Sequence, residues 1–137
     1  NGTDVLSAST LGSGVTTSSL TTVGALSSGS IASGFGSGMA RTEHGLCGAL
    51  SGGIMALSLL QGRKNANESK DVLYHNVQTF QEHFEKAFGA CECASLLGFP
   101  LNSPDASVKF KEGNCKACKC DLYVAFAAKE VELLLGN

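Results

Sequence analysis

The stretch VLYHNVQTFQEHFEKAFG, residues 72–89, has the clearest secondary-structure pattern in the chain. Glu82 and Lys86 lie on its polar side and form a favourable i,i+4 pair. This spacing predicts an amphipathic helix that ends at Gly89. We interpret its three phenylalanines as core residues. Its apolar side chains recur every three or four residues: Val72 or Leu73, Val77, Phe80, Phe84 and Phe88.

Two further segments have helical spacing, residues 46–60 and the residues after Cys120. In the first helix Gly48 and Gly52 lie four residues apart, and we expect another backbone to approach that face closely. The predicted buried stripes are Leu46, Leu50, Ile54 and Leu57 in the first helix, and Val124, Ala128, Val131 and Leu135 in the second.

The segment between Phe99 and Cys115 contains both prolines, and we expect a long loop there. No segment shows the alternation of a β-strand. The sequence therefore predicts an all-α fold, a small bundle of about five helices, with residues 1–137 forming a single domain.

Composition and charge exclude two classes of function. The net charge is −2 and the Lys and Arg residues are scattered, so no nucleic-acid surface is indicated. The longest apolar stretch, residues 46–60, is shorter than the ~20 residues that cross a bilayer. The chain opens with Asn1 and shows no signal peptide, which leaves the compartment open while favouring the cytoplasm over the periplasm.

Residues 1–38 differ from the rest because they are almost wholly Gly, Ser, Thr, Ala, Val, Leu and Ile. A flexible linker is one interpretation, although apolar residues recur throughout the segment. Side chains assigned from truncated electron density would give the same composition, so the residue identities here are themselves open. Peptide mass spectrometry tests this, and we place the cysteine-containing, chemically active region at residues 39–137.

Six cysteines occur in three groups and lie at the boundaries of predicted elements rather than on the helix stripes. Backbone N–H groups and the helix dipole stabilise a thiolate at a helix start, and we expect this of Cys47 and Cys120. Arg41 and His44 add positive charge upstream of Cys47. The groups are Cys47, then Cys91 and Cys93, then Cys115, Cys118 and Cys120.

Residue spacing alone leaves the chemistry of these cysteines open. Cys115 and Cys118 have the spacing of a metal chelate or a redox pair, and Cys120 extends it. Three structural disulfides or a structural zinc ion are the alternatives. We expect His75 and His83 to be solvent-exposed, which leaves His44 as the histidine of interest.

Several segments resemble the redox-active protein family named C_GCAxxG_C_C. The resemblance is carried by residues 32–39 followed by CGALSG at 47–52, by CASLLG at 93–98, and by CDLYV at 120–124. It implies an all-helical fold of this size, and a similar domain in split-Soret cytochromes is linked to a non-haem iron–sulfur centre. The first family cysteine should fall near the beginning of this chain, where there is none.

By this resemblance Cys47, Cys93 and Cys120 are the ligands or redox thiols. The missing family cysteine lies upstream, is misassigned within residues 1–38, or is replaced by another cysteine, for which we expect Cys118 ahead of Cys115 and Cys91. We expect a [2Fe–2S] cluster ahead of a [4Fe–4S] cluster, and electron transfer rather than turnover of a substrate. A thiol–disulfide or sensor protein and a zinc-stabilised binding module are the alternatives. A redox partner protein is implied but not identified, and a homo-oligomer stays open.

Overall fold

The structure is a computed structural model that describes residues 32–136. The chain divides into two compact units, Asn1–Gly34 and Phe35–Asn137. The interpretations of residues 1–31 lie outside the described residues, and the assignment of a single domain stays a prediction. The second unit carries all six cysteines and is the one described in detail.

The described part of the chain contains six helical segments and no strand, which confirms the predicted all-α fold. A 3-10 turn at Ala32–Phe35 precedes the first segment, and a π-helical turn at Lys116–Cys120 leads directly into the last. None of the described helices has the length and hydropathy needed to cross a membrane. The segments are α1 (Gly36–Arg41), α2 (Gly48–Gln61), α3 (Asp71–Phe88), α4 (Cys93–Leu97), α5 (Ala106–Glu112) and α6 (Asp121–Leu135).

The core lies where α2, α3 and α6 pack on one another. Phe80 and Phe84 are fully buried. The ring of Phe84 meets those of Phe88, Tyr123 and Phe126 edge to face, with centroids 4.9, 5.9 and 5.8 Å apart. The phenylalanines of α3 are therefore core residues, as predicted. Gly89, at φ +82°, ends α3 at the predicted position.

The predictions for residues 99–115 and for the buried face of α6 were wrong. The expected loop between Phe99 and Cys115 contains α5, a seven-residue helix stabilised by an ion pair of 2.7 Å between Asp105 and Lys109. Such a helix is too short to show periodicity. The stripe predicted for α6 is also shifted, because Val124 and Ala128 are exposed. The buried positions of α6 are Tyr123, Ala127, Val131 and Leu134.

At two positions in α2, the absence of a side chain on glycine permits a close contact. At Gly48 a Cβ would lie 3.2 Å from the Cα of Gly36, so the backbone of α1 approaches as predicted. At Gly52 nothing lies within 4 Å, and the expected close approach is absent. Gly53 instead faces the ring of Phe80, which a Cβ would meet at 2.5 Å.

Candidate functional site

An isolated antiparallel bridge between Leu46 and Glu92 joins the segments that carry Cys47 and Cys93. The N–H of Cys47 donates to the carbonyl of Cys91 at 2.8 Å, and the N–H of Cys93 donates to that of Gly45 at 3.0 Å. Cys47 directly precedes α2 and Cys93 is the first residue of α4. The bridge therefore holds the starts of two helices, each with a cysteine, side by side.

Two side chains that the sequence analysis did not single out bring Cys120 to the same place. The Lys119 ammonium donates to the carbonyls of Leu96 and Leu97, both at 2.9 Å, and the Tyr123 hydroxyl donates to that of Leu96 at 3.4 Å. A cation suits the carbonyl end of a helix. These bonds attach the turn before α6 to the end of α4. In the sequence, only the position of Lys119 next to Cys120 could have indicated that it helps to position this cysteine.

Cys47, Cys93 and Cys120 together line a cavity of about 240 Å³. The same cavity is lined by five apolar side chains and by Ser37. The three cysteines come from different elements of the chain, so only the tertiary fold brings them together. The apolar lining residues are Ala49, Leu97, Leu101, Phe110 and Val124.

A left-handed backbone turn lies beside this cavity. Ser37 to Arg41 all have positive φ, between 53° and 69°. For residues other than glycine this conformation costs ~1–2 kcal/mol each. The carbonyl of Gly38 accepts hydrogen bonds from the Thr42 N–H at 3.0 Å and the Thr42 hydroxyl at 2.9 Å, which hold the turn. A Cβ on Gly38 would lie 2.7 Å from the Cβ of Cys93, so the turn packs directly on that cysteine.

The other three cysteines do not line the cavity. Cys118, the expected fourth ligand, is exposed, and its sulfur accepts a hydrogen bond from Asn114 at 3.7 Å. Cys115 is buried, with its thiol 4.0 Å from the carbonyl of Lys109. The Cys91 thiol faces the carbonyl of Gln81 at 3.8 Å. All six cysteines are unpaired, so the structure contains none of the three disulfides considered as an alternative.

Burial governs the electrostatics of the cavity. It raises the pKa of Cys93 to about 11, with further contributions from the neighbouring Cys47 and Cys120 thiolates. The pKa of Cys120 is also raised, by burial first and then by Cys47, Cys115 and Asp121. The expectation that the helix start would favour a Cys120 thiolate is therefore wrong for the protein without a bound cation. One backbone hydrogen bond to Cys120 opposes the rise, and it is the weaker effect.

The charged residues upstream of Cys47 do not line the cavity. His44 is 80% exposed and lies 3.7 Å from the Glu92 carboxylate. Arg41 lines a separate, larger cleft. His75 is exposed and His83, also exposed, pairs with Glu130, as expected for residues outside the site.

Within residues 32–136, no three His, Cys, Asp or Glu side chains converge closely enough to bind a single metal ion. The three thiols of the cavity lie around it and do not meet at one point. A group bound by all three would therefore have to span the cavity.

Comparison with known proteins identifies one family. The sequence model of the family described as "Putative redox-active protein (C_GCAxxG_C_C)" matches residues 15–134. No curated protein matches the chain significantly. The same holds for solved structures. The matched range contains all six cysteines and all the residues that line the cavity.

Proposed function

Since the chain belongs to the C_GCAxxG_C_C family of redox-active proteins, we propose that it is an electron carrier with a cysteine-bound iron–sulfur cluster. The observation that carries the proposal is the cavity shared by Cys47, Cys93 and Cys120. Thiolates are the usual protein ligands of such clusters. The residues that would hold the cluster are these three, with a fourth thiol from the turn that contains Cys115 and Cys118.

The shape of the site supports a cluster over a single ion. A zinc ion gathers four ligand atoms within ~2.0–2.3 Å of one point. An iron–sulfur cluster distributes its thiolates over two or more iron atoms. Thiols placed around a cavity, without three side chains converging on a point, therefore suit a cluster better.

The electrostatics of the site agree with this choice. Cys93 and Cys120 are half-buried, and burial together with neighbouring thiolates raises their pKa values, so both thiols are mostly protonated near pH 7 and are poor nucleophiles. A bound iron ion would favour the thiolate form, because the charge of a cation lowers the pKa of a thiol that coordinates it. The site therefore has the character of a ligand set rather than of a group of reactive thiols.

When bound, such a cluster supplies a one-electron couple. The chain itself contributes three thiolates from three helix starts, which fixes their relative positions. Leu97, Leu101 and Phe110 keep the lining apolar and limit contact with water. Lys119 and Tyr123 act as positioning residues, since their hydrogen bonds to α4 place Cys120 opposite Cys93.

The test is the iron and acid-labile sulfide content of anaerobically purified protein, together with its visible spectrum. We expect a brown protein with about two iron atoms and two sulfides per chain, the content of a [2Fe–2S] cluster. About four of each would indicate [4Fe–4S]. A colourless protein without iron would contradict the proposal, and zinc without a redox response would support a zinc-stabilised module.

Variants locate the ligands. Cys47→Ser, Cys93→Ser and Cys120→Ser should each lose most of the iron, while Cys91→Ser, which alters a half-buried thiol off the cavity, should keep it. Circular dichroism shows whether each variant folds. Equal iron loss in Cys91→Ser would identify Cys91, whose pKa is raised by burial, by Glu85 and by Cys47, as the fourth ligand, and retention of iron in Cys47→Ser, Cys93→Ser and Cys120→Ser would show that the cavity is not the binding site.

The fourth thiol is tested by comparing Cys115→Ser with Cys118→Ser. Cys118 was the sequence-based prediction, but Cys115 is buried and lies near enough to Cys120 to raise its pKa. We expect Cys115→Ser to lose more iron. Both residues flank or lie in a π-helical turn, a feature frequent at functional sites. Greater loss in Cys118→Ser would restore the original assignment.

One observation favours a second candidate, a thiol–disulfide protein. Cys118 is the exposed cysteine and lies three residues from Cys115, so these two could form the exchanging pair. Alkylation of reduced and oxidised protein would then show a reversible loss of two free thiols. No change in the thiol count in iron-free protein would exclude this candidate.

A further inference from the structure

An open cleft of about 520 Å³ lies beside the cysteine cavity and is distinct from it. Its walls come from α1, from the 101–104 segment and from α5. A concave site of ~300–1,000 Å³ with apolar walls and a few charged or polar groups is typical of small-molecule binding. This cleft fits that description, since Leu101, Pro104 and Phe110 form its apolar wall and Ser107 contributes a hydroxyl group.

The two charged side chains that line the cleft are both cations, Arg41 and Lys111. Neither has an acidic partner within the described residues 32–136, where the ion pairs involve other groups. The nearby Asp105 is engaged by Lys109 at 2.7 Å, and that hydrogen bond lowers its pKa, so its charge is matched. The cleft is therefore lined by positive charge without a compensating carboxylate.

Arg41 reaches the cleft because of an unusual backbone conformation. It is the last residue of the left-handed turn, with φ +67°. Thr42 stabilises that turn by donating hydrogen bonds to the carbonyl of Gly38. Non-glycine residues in this conformation persist where the surrounding structure enforces them, commonly at functional sites. The turn places Ser37 on the wall shared with the cavity and Arg41 in the cleft.

Three residues, Ser37, Leu101 and Phe110, line both the cleft and the cysteine cavity. A molecule in the cleft would therefore contact residues that also line the cavity of Cys47, Cys93 and Cys120. A ligand in this position could respond to, or alter, the state of the thiol site.

We propose that this cleft is a binding site for a small organic anion bearing a carboxylate or phosphate group, held by Arg41 and Lys111. The guanidinium of Arg41 offers a planar pair of donors that matches either group, and Lys111 adds a point charge. The apolar wall takes the carbon part of the ligand. The proposal goes beyond electron transfer and does not depend on which group the cysteines bind.

Isothermal titration calorimetry of the full chain, as purified, tests it with two probes, sodium succinate and inorganic phosphate. Sodium chloride at matched ionic strength is the blank. We expect saturable one-site binding of at least one probe. Arg41→Gln and Lys111→Gln should each weaken it about tenfold, the loss of one charge-assisted interaction. The matched controls Arg63→Gln and Lys86→Gln remove exposed charges that lie outside the cleft and should leave binding unchanged.

Absence of saturable binding by both probes overturns the proposal. Equal weakening in the control variants also overturns it, because the effect would then follow net charge alone. Binding of an acidic decapeptide of glutamate without binding of either small probe would identify the cleft as a protein-docking surface instead. Iron content is measured on the same samples, so that failure of the anion site and failure of the iron–sulfur proposal are read separately.

Discussion

The aromatic core and the cysteine cavity use the same helices but are built in opposite ways. In the core, Phe84 is fully buried and in edge-to-face contact with four other rings. In the cavity, three thiols and five apolar side chains surround about 240 Å³ that no side chain fills. Tyr123 and Val124 are neighbours in α6, yet Tyr123 packs in the core and Val124 lines the cavity. The first region is close-packed, whereas the second leaves a cavity lined by three thiols.

The largest expected effect comes from truncating one phenylalanine in each region. Phe84→Ala should lower the free energy of unfolding by about 3–5 kcal/mol, because it removes a fully buried ring from a close-packed cluster. Phe110→Ala should cost only about 1 kcal/mol, because that ring is half-buried and borders open space. Urea denaturation measures both. Equal losses would show that the cavity region is packed like the core.

Glycine substitutions in α2 give the next largest effect. Gly53→Ala should destabilise the protein by about 2 kcal/mol, because its Cβ would lie 2.5 Å from the ring of Phe80 and overpack the core. Gly52→Ala should stabilise it by up to about 1 kcal/mol, because nothing lies within 4 Å and alanine favours the helix. Thermal denaturation distinguishes them. If both substitutions stabilised the protein, the contact between α2 and Phe80 would be refuted.

The smallest expected effect is the pH dependence of the cavity in reduced, metal-free protein. The raised pKa of Cys93, about 11 against an ordinary value of 9.0, means that the folded state holds its proton more tightly than the unfolded state. This contribution to stability is complete below about pH 9 and is lost as the pH rises to about 11.

Urea unfolding between pH 8 and 11 measures the free energy of unfolding of the wild type and of Cys93→Ser. The difference between the two reports the Cys93 contribution, because the two proteins share every other group that titrates in this range. The wild type should lose more stability with pH than the variant. Cys118→Ser, which alters the exposed thiol, should follow the wild type. Parallel curves for wild type and Cys93→Ser would show that the thiol is not buried as described.

The spacing of apolar residues along the sequence correctly predicted those helices in which that spacing is periodic over many residues. The helix at residues 71–88 and its glycine end follow from a stripe sustained over five turns. The all-α class follows from the absence of strand alternation. The seven-residue helix α5 did not follow, because two turns with a proline before them resemble a loop. The stripe of α6 was misplaced by one position, since the run of apolar residues there fits more than one helical face.

The sequence by itself determined the all-α class, and the family pattern pointed to Cys47, Cys93 and Cys120 as the predicted site residues. Only the tertiary structure decided which thiols share a cavity, because they lie up to 73 residues apart and meet through one bridge and the bonds of Lys119. It also raised the pKa values of Cys93 and Cys120, because burial and repulsion from neighbouring thiolates outweigh the effect of the helix start at Cys120. The role of Cys118 stays a prediction. The grouping of the thiols and the rise in their pKa values depend on contacts between residues that are distant in the sequence, so the spacing of neighbouring residues does not predict them.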